Sequence, residues 1–226
     1  MHSYKFLKKN PLEIEKLATI LTLYIHAPSG GVALLSGAIA LIAIKGSLIH
    51  KQSGRLFFYS MLISAIAAFV ISVLPNHESP FLFSIGLFST YFLISGLRSL
   101  RFKQREYHLK TDKIIAYLII LTGLCMVIYP VLLYGKINIV LGVFGWVGMG
   151  FGYRDLKIFK EPERLKKSWL KLHLGKMTGG YIAAVSAFFV VNQILPELWN
   201  WFAPGVLGSL YISYWIRKQN KKNAAP

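Results

Sequence analysis

The sequence is poor in acidic residues and in cysteine. It has 9 Asp and Glu against 26 Lys and Arg, a formal net charge of +17, and only 15% of its 226 residues are charged. A soluble domain carries about a quarter charged residues, so most of this chain cannot present a water-facing surface. Cys125 is the only cysteine, which excludes an intramolecular disulfide and a multi-cysteine metal site.

The chain is rich in long apolar runs. Hydrophobic residues make up 54% of the chain, and its mean hydropathy is +0.50. A helix needs about 20 mostly apolar residues to cross a bilayer. The candidate stretches are residues 30–49, 56–74, 81–100, 114–134, 137–153, 177–195 and 199–216. Because they lack the polar–apolar alternation of a membrane β-barrel, the sequence predicts an all-α, polytopic transmembrane helical bundle with about seven spans.

Three regions are predicted along the chain. Residues 1–28 are expected to form an N-terminal interfacial amphipathic segment, because apolar side chains recur there at steps of three and four. Residues 29–216 are expected to form a single transmembrane helical bundle, and residues 217–226 a basic cytoplasmic tail. Whether residues 12–26 themselves cross the membrane stays open, and so does the side on which the N-terminus lies.

Lysine and arginine are concentrated on one side of the predicted spans. Cytoplasmic loops carry such an excess, so we expect a multi-pass protein of the cell (inner) membrane with a cytoplasmic C-terminus. The cations are expected to contact anionic lipid headgroups, most strongly at residues 157–176, where they interleave with apolar side chains. Nucleic acid is not an expected partner, because the cations lie in short loops and form no recognisable binding module.

Small residues recur within the predicted spans. Gly148 and Gly152 have the small-x-x-x-small spacing that lets transmembrane helices approach closely, and Gly30, Ala33, Gly37 and Ala40 form a similar stripe. These faces predict close contacts inside one bundle. They also suit contact with a second copy of the chain or with another membrane protein.

Ionisable residues inside the spans are rare. Burying such a group in lipid is expensive, so each one is a functional candidate, and the candidates are Lys45, Arg98 and Asp155. Lys45 and Arg98 lie close enough to the ends of their spans to extend toward the headgroups. No carboxylate lies in the middle of a span, which argues against a proton or cation pump.

The predicted topology divides the histidines into two groups, with His26 and His77 on the outer side. His50, His108 and His173 lie at cytoplasmic ends of spans, where they and Asp155 are candidate ligands of a divalent metal. Haem b is the other candidate cofactor. His26 and His50 are separated by 24 positions, or about 36 Å in one continuous helix, which is too far for two haem groups stacked within hydrocarbon.

Two short motifs are similar to those of a known family. A His-Lys-x-x-Gly-Arg turn occupies residues 50–55, and a His-x-x-x-Met sequence at residues 173–177 opens the sixth predicted span. Together they resemble a family of predicted bacterial multi-pass membrane proteins with no assigned function. The resemblance extends over about residues 26–216 and implies one polytopic helical domain, but no reaction. It singles out His50, Arg55, His173 and Met177.

Three functions remain open from the sequence. The first is a binding or carrier-type module for an anionic headgroup or a small metabolite, with a cytoplasmic-face pocket of His50, Arg55, Arg98, His173, Lys176 and Met177. The second is a non-catalytic assembly or accessory subunit. The third is a membrane redox protein that binds haem or a metal. No catalytic residues are identified, and an enzyme is the less expected class.

Overall fold

The computed structural model describes residues 11–104 and 107–224, and every regular element in these residues is helical. Seven long helices follow one another, and a 3₁₀ turn, Ser99–Lys103, extends the third. They are α1 (Pro11–Ile42), α2 (Leu48–Ile71), α3 (Pro80–Arg98), α4 (Lys110–Tyr134), α5 (Ile139–Ile158), α6 (Pro162–Asn192) and α7 (Glu197–Ala224). Residues 1–10 of the predicted N-terminal segment and residues 225–226 of the predicted tail lie outside the described residues.

Five of these helices are long and apolar enough to cross a membrane, namely α1, α2, α3, α4 and α6. The remaining two, α5 and α7, are 20 and 28 residues long. At 1.5 Å per residue, 20 residues reach about 30 Å, the thickness of the hydrocarbon layer. The all-α transmembrane fold class is thus confirmed, and seven long helices agree with the predicted number of about seven spans.

The first two helices begin and end elsewhere than the sequence predicts. Residues 12–26 are continuous with the first span, so the predicted boundary at residue 28 falls inside α1, just after a π-helical segment at Leu21–His26. This helix ends at Ile42 rather than at residue 49. The reversal occurs at residues 43–47, where Gly46 has a φ of +85°, a value that glycine adopts without strain. The sequence Gln52-Ser53-Gly54, whose residue types are typical of turns, lies within α2 instead.

Local sequence explains several other helix boundaries. The side chain of Asn138 accepts a hydrogen bond from the Leu141 amide at the start of α5, as N-cap residues do. Gly135, with a φ of +63°, ends α4. Pro162 occupies the first turn of α6, where its missing N–H is not needed. Because α6 begins there, residues 162–176 of the segment predicted to contact lipid headgroups form the first half of a single 31-residue helix.

The chain divides into two compact units, with the boundary after Gly86. In the first unit α1 packs against α2, and Ala33, Gly37 and Ala40 of the predicted small-residue stripe are buried. In the second unit α4 packs against α5, and α6 packs against α7.

The contact between α4 and α5 is made through glycine. A Cβ atom on Gly145 would lie 2.6 Å from the backbone oxygen of Gly123, and a Cβ on Gly152 would lie 2.7 Å from the backbone oxygen of Ala116. Gly148 is buried on the same face of α5. The prediction that these glycines make close helix contacts is confirmed.

Candidate functional site

The second unit contains a buried aromatic layer on α3. Phe88, Tyr91 and Phe92 are each at most 4% exposed and pack with Ile119 of α4. The rings of Phe88 and Phe92 meet edge to face, with centroids 4.9 Å apart, an arrangement that aromatic pairs favour. This packing fixes Tyr91 with its hydroxyl group inside the unit.

Three buried polar side chains from three helices meet at that hydroxyl group. The Tyr91 hydroxyl of α3 donates a hydrogen bond to Asp155 Oδ2 of α5, at 2.7 Å. Lys176 Nζ of α6 donates to the same Oδ2 at 2.5 Å and to the Tyr91 oxygen at 2.7 Å. The ammonium also lies 4.3 Å from the centroid of the Tyr91 ring, a cation–π contact. We call these residues the Tyr–Asp–Lys cluster.

The cluster is expensive to build in this environment. Asp155 is 5% exposed and Lys176 is 4% exposed, so both charges have lost nearly all of their water. Their attraction and their hydrogen bonds offset the desolvation cost only while both partners are present. Ionisable groups inside a membrane protein mark binding sites and proton or ion pathways more often than they add stability.

A second ion pair lies near the cluster. Arg98, the last residue of α3, donates from Nε to Asp112 Oδ1 at 2.7 Å and from a terminal nitrogen to Oδ2 at 2.6 Å. Such a two-bond pair is the strongest form of this contact. Asp112 also lies in the first turn of α4, where the helix dipole favours a negative charge. Asp112 and the exposed Arg154 both act electrostatically on Lys176.

Four of the six predicted pocket residues come together in the second unit. His173 Nδ1 donates to the backbone oxygen of Gly96 at 2.8 Å, and the side chain of Met177 packs directly on Gly96. Lys176 belongs to the Tyr–Asp–Lys cluster, and Arg98 lies two residues beyond Gly96. Two aspartates that the sequence did not place in the predicted pocket, Asp112 and Asp155, therefore contact residues of it.

The other two predicted pocket residues lie on α2 of the first unit. His50 Nδ1 is 2.9 Å from the backbone oxygen of Ala40. Lys45 Nζ donates to the same oxygen at 3.1 Å and to that of Leu41 at 2.5 Å, so both side chains cap the end of α1. Burial lowers the pKa of Lys45 below its ordinary value of 10.5. Arg55 is exposed.

The candidate metal ligands do not form a cluster. His108 is exposed ahead of α4, and Asp155 is engaged by Tyr91 and Lys176. Within residues 11–104 and 107–224, no group of three or more His, Cys, Asp or Glu side chains could hold a metal ion. The suggested site of His50, His108, His173 and Asp155 therefore has no support in the described part of the chain.

His26 and His50 lie at two levels of the first unit. His26 Nδ1 is 2.9 Å from the backbone oxygen of Ser64, and the Ser64 hydroxyl donates back to the His26 oxygen at 3.1 Å. His50 lies at the level of Ala40 because the chain reverses after Ile42. The levels of residues 26 and 40 differ by 14 residues, about 21 Å along α1. The levels of His26 and His50 are therefore closer together than the separation of about 36 Å expected for one continuous helix.

The sequence did not single out Tyr91 or Asp112. A signal for Asp112 existed, because it and Asp155 are the only aspartates in a strongly basic chain, and both are buried against cations. Arg98 was expected to reach toward the headgroups, but the structure pairs it with Asp112. Nothing in the sequence distinguishes Tyr91 from the other 11 tyrosines, since only helix packing brings it to Asp155.

Comparison with known proteins gives one family. No curated protein and no solved structure matches this chain. The family model described as Predicted membrane protein (DUF2306) matches residues 23–151, which is more than half of the sequence. The matched region contains Tyr91, Arg98 and Asp112 and ends before Asp155 and Lys176. The chain belongs to this family of predicted membrane proteins, DUF2306, whose function is unknown.

Proposed function

We propose that this protein is a binding or carrier-type membrane protein for a small anionic group, with its site at the Tyr–Asp–Lys cluster. The observation that carries the proposal is Lys176, an ammonium 4% exposed within a helix of transmembrane length. Its two hydrogen-bond acceptors come from other helices, α3 and α5. A purely structural contact at this position is made at lower cost by apolar side chains, so the retained ammonium favours a binding role.

The charges near Lys176 favour an anion over a cation. Arg98, Arg154 and Lys176 carry three positive charges, and Asp112 and Asp155 carry two negative charges. An anionic carboxylate, sulfate or phosphate group offers Lys176 the same kind of oxygen that Asp155 now supplies. Such a ligand can therefore compete with Asp155 for the ammonium.

Exposed cations at the neighbouring helix ends supply an approach for an anion. Lys103 follows α3, and its ammonium lies 5.2 Å from the ring centroid of Trp169 on α6. Lys110 and Lys113 flank Asp112 at the start of α4, and Lys157 follows Asp155; all three are exposed. A concentration of like charge beside a low-dielectric site attracts oppositely charged ligands and raises their association rate.

The test is anion binding to the purified chain in detergent. Sulfate represents a free anion and short-chain phosphatidylglycerol represents a lipid headgroup. We expect at least one of them to raise the unfolding temperature of the wild-type protein in a saturable manner. The Lys176→Gln variant should lose this response, whereas Lys136→Gln, which alters an exposed lysine in the turn after α4, should keep it.

The double variant Asp155→Asn/Lys176→Gln guards against misfolding, because it removes both charges and leaves no unpaired ion. It should fold and should not respond to either anion. A wild-type protein that responds to neither probe, or a double variant that responds as wild type does, would contradict the proposal. A response to phosphatidylglycerol alone identifies a headgroup site, and a response to sulfate identifies a site for free anions.

The first unit favours haem binding as a second candidate function. Because a carbonyl oxygen only accepts hydrogen bonds, the contacts of His26 with Ser64 and of His50 with Ala40 place the imidazole proton on Nδ1. Histidines that bind haem iron or a metal are oriented in this way, with Nε2 as the ligand atom. The two levels, about 21 Å apart along α1, suit two haem groups in one bilayer.

Haem is tested by the colour of the protein. Expression with haem supplied should give a Soret absorption band in the purified chain, and the band should weaken in His26→Ala and in His50→Ala. The variant His108→Ala, at an exposed position of the second unit, serves as the control. A colourless wild-type preparation under these conditions would remove haem from consideration.

A further inference from the structure

We infer that anion binding at Lys176 is coupled to the uptake of one proton by Asp155. The incoming anion takes the place of the Asp155 carboxylate at Lys176 Nζ, and the released carboxylate becomes a neutral carboxylic acid. The inference rests on the proposed anion-binding function and adds a co-substrate, the proton. A carrier with such a site moves an anion and a proton together.

The ion pairs of the second unit are balanced in charge. The two buried carboxylates are each matched by one cation, Asp112 by Arg98 and Asp155 by Lys176. Arg154, the third cation near Lys176, is exposed to water and does not balance a buried charge. A further anion beside Lys176 would therefore leave one uncompensated negative charge among the buried groups. Such a charge is unfavourable at low dielectric. Protonation of one carboxylate restores the balance without moving any other charged group.

The contacts of the two aspartates decide which of them accepts the proton. Asp112 is held by two hydrogen bonds from a guanidinium group, which remains charged at every accessible pH, and it lies at a helix N-terminus. Tyr91 and Lys176 both donate to the same Asp155 oxygen, Oδ2. When an anion takes the Lys176 bond, Asp155 loses its balancing charge, whereas Asp112 keeps Arg98. The proton therefore goes to Asp155.

Tyr91 makes the exchange possible without an unsatisfied polar group. In the structure its hydroxyl donates to Asp155 Oδ2 and accepts from Lys176 Nζ. A hydroxyl group can rotate and has both donor and acceptor capacity. After the exchange the protonated Asp155 can donate to the Tyr91 oxygen while Tyr91 donates to the bound anion. One O–H bond forms on Asp155 and one breaks in a hydronium ion of the bulk solvent, which becomes water; no other covalent bond changes.

Every helix that contacts the cluster contributes a charged or titratable group. Tyr91 faces Asp155 from α3, Lys176 faces it from α6, and Arg154 precedes it on α5. Asp112 of α4 acts on Lys176 from a greater distance. Of these groups, only Asp155 is a carboxylate whose partner would be taken by the ligand. Proton uptake by this carboxylate should therefore govern how anion affinity depends on pH.

The experiment measures the dissociation constant of the purified full chain for sulfate and for short-chain phosphatidylglycerol between about pH 5 and pH 8. Both probes stay fully ionised over this range, so a change in affinity with pH comes from the protein. If one proton is taken up per anion, affinity falls by about tenfold per pH unit wherever Asp155 is ionised before the anion binds and protonated afterwards. The Asp155→Asn variant carries a permanently neutral amide and should bind with a pH-independent affinity.

Two further variants should differ in how their anion affinity depends on pH. Tyr91→Phe retains the ion pair but removes one hydrogen bond from the ionised carboxylate, so the fall in affinity should begin at a higher pH. Glu161→Gln changes an exposed carboxylate that pairs with Arg164 and should leave the pH dependence as in the wild type.

The two proposals fail in different ways. Anion binding whose affinity does not change with pH, or whose pH dependence is unchanged in Asp155→Asn, overturns the proton coupling and leaves the anion site intact. Absence of binding by both probes at every pH overturns the anion site and the coupling together.

Discussion

At the scale of single residues, the fold depends on how the two aspartates are paired. The chain has an excess of cations over carboxylates, yet its two aspartates are both buried and both bonded to a cation. A lone charge at either position would be desolvated without compensation. The pairs therefore constrain which helices can lie next to one another in the second unit.

Removing one member of the buried pair should cost more stability than removing both. We expect Asp155→Ala to destabilise the protein by about 3–5 kcal/mol, because it leaves the Lys176 ammonium buried without its counter-ion. The double variant Asp155→Ala/Lys176→Met should recover a large part of that loss. Denaturant unfolding in detergent measures both values. A double variant that is no more stable than Asp155→Ala would show that the ion pair is not the cause.

The stability of the protein should depend on pH through Lys45. Burial lowers the pKa of Lys45 in the folded state, so the unfolded chain binds its proton more tightly than the folded chain does. The free energy of unfolding should therefore rise as pH increases from the lowered pKa toward the ordinary value of 10.5. The effect is small because Lys45 is partly solvated. It appears as a difference between wild type and Lys45→Gln in thermal unfolding, and a variant with the same slope as wild type would contradict it.

At the scale of helices, glycine determines how closely α4 and α5 approach. Gly123 and Gly145 bring the two backbones so near that a Cβ atom on either would meet the other's carbonyl oxygen. Backbone atoms cannot move aside as a flexible side chain can. The small-residue pattern therefore has a direct structural role in this helix pair.

Adding a methyl group at this contact should destabilise the helix pair. Gly145→Ala places a Cβ 2.6 Å from the Gly123 oxygen, and overpacking of this kind costs about 1–3 kcal/mol. Gly142→Ala, one turn earlier on α5, has no neighbour within 4 Å of its new Cβ. It should be neutral or slightly stabilising, because alanine favours helix over glycine. Equal unfolding temperatures for the two variants would contradict the close contact.

At the scale of the whole molecule, the distribution of cations favours one orientation in the membrane. The end of α7 carries Arg217 and Lys218, and the Lys218 ammonium lies 4.8 Å from the ring centroid of Trp215. Aromatic and cationic side chains together are typical of a membrane–water interface. We propose that this end lies on the cytoplasmic side of the cell membrane, in contact with anionic headgroups.

Reporter fusions test this orientation. A fluorescent protein that folds only in the cytoplasm, fused after residue 226, should be bright, and alkaline phosphatase at the same position should be inactive. The reverse pattern should appear for fusions in the turn at residues 135–138, between α4 and α5. Phosphatase activity at the C-terminus would overturn the assigned orientation.

Hydropathy and residue periodicity were enough to predict much of the fold. The apolar runs predicted the all-helical class and about seven spans. A helix in lipid satisfies its own backbone hydrogen bonds, so its length and its composition are enough to identify it. The boundaries of the first two helices were less predictable. Gln52, Ser53 and Gly54 look like a turn, but Gly46 and Ser47 make the reversal, since Gly46 adopts a positive φ and Ser47 caps α2.

The sequence by itself determined that this chain is a helical membrane protein with an excess of cations and very few acidic residues. Only the tertiary structure decided that Tyr91, Asp155 and Lys176 share one site. Asp155 is 64 positions from Tyr91 and 21 from Lys176, and Tyr91 and Lys176 are 85 positions apart. Helix formation depends on interactions between near neighbours. The pairing of distant charges depends instead on which helix faces pack together, and that is settled by the fit of side chains and glycines across the whole unit.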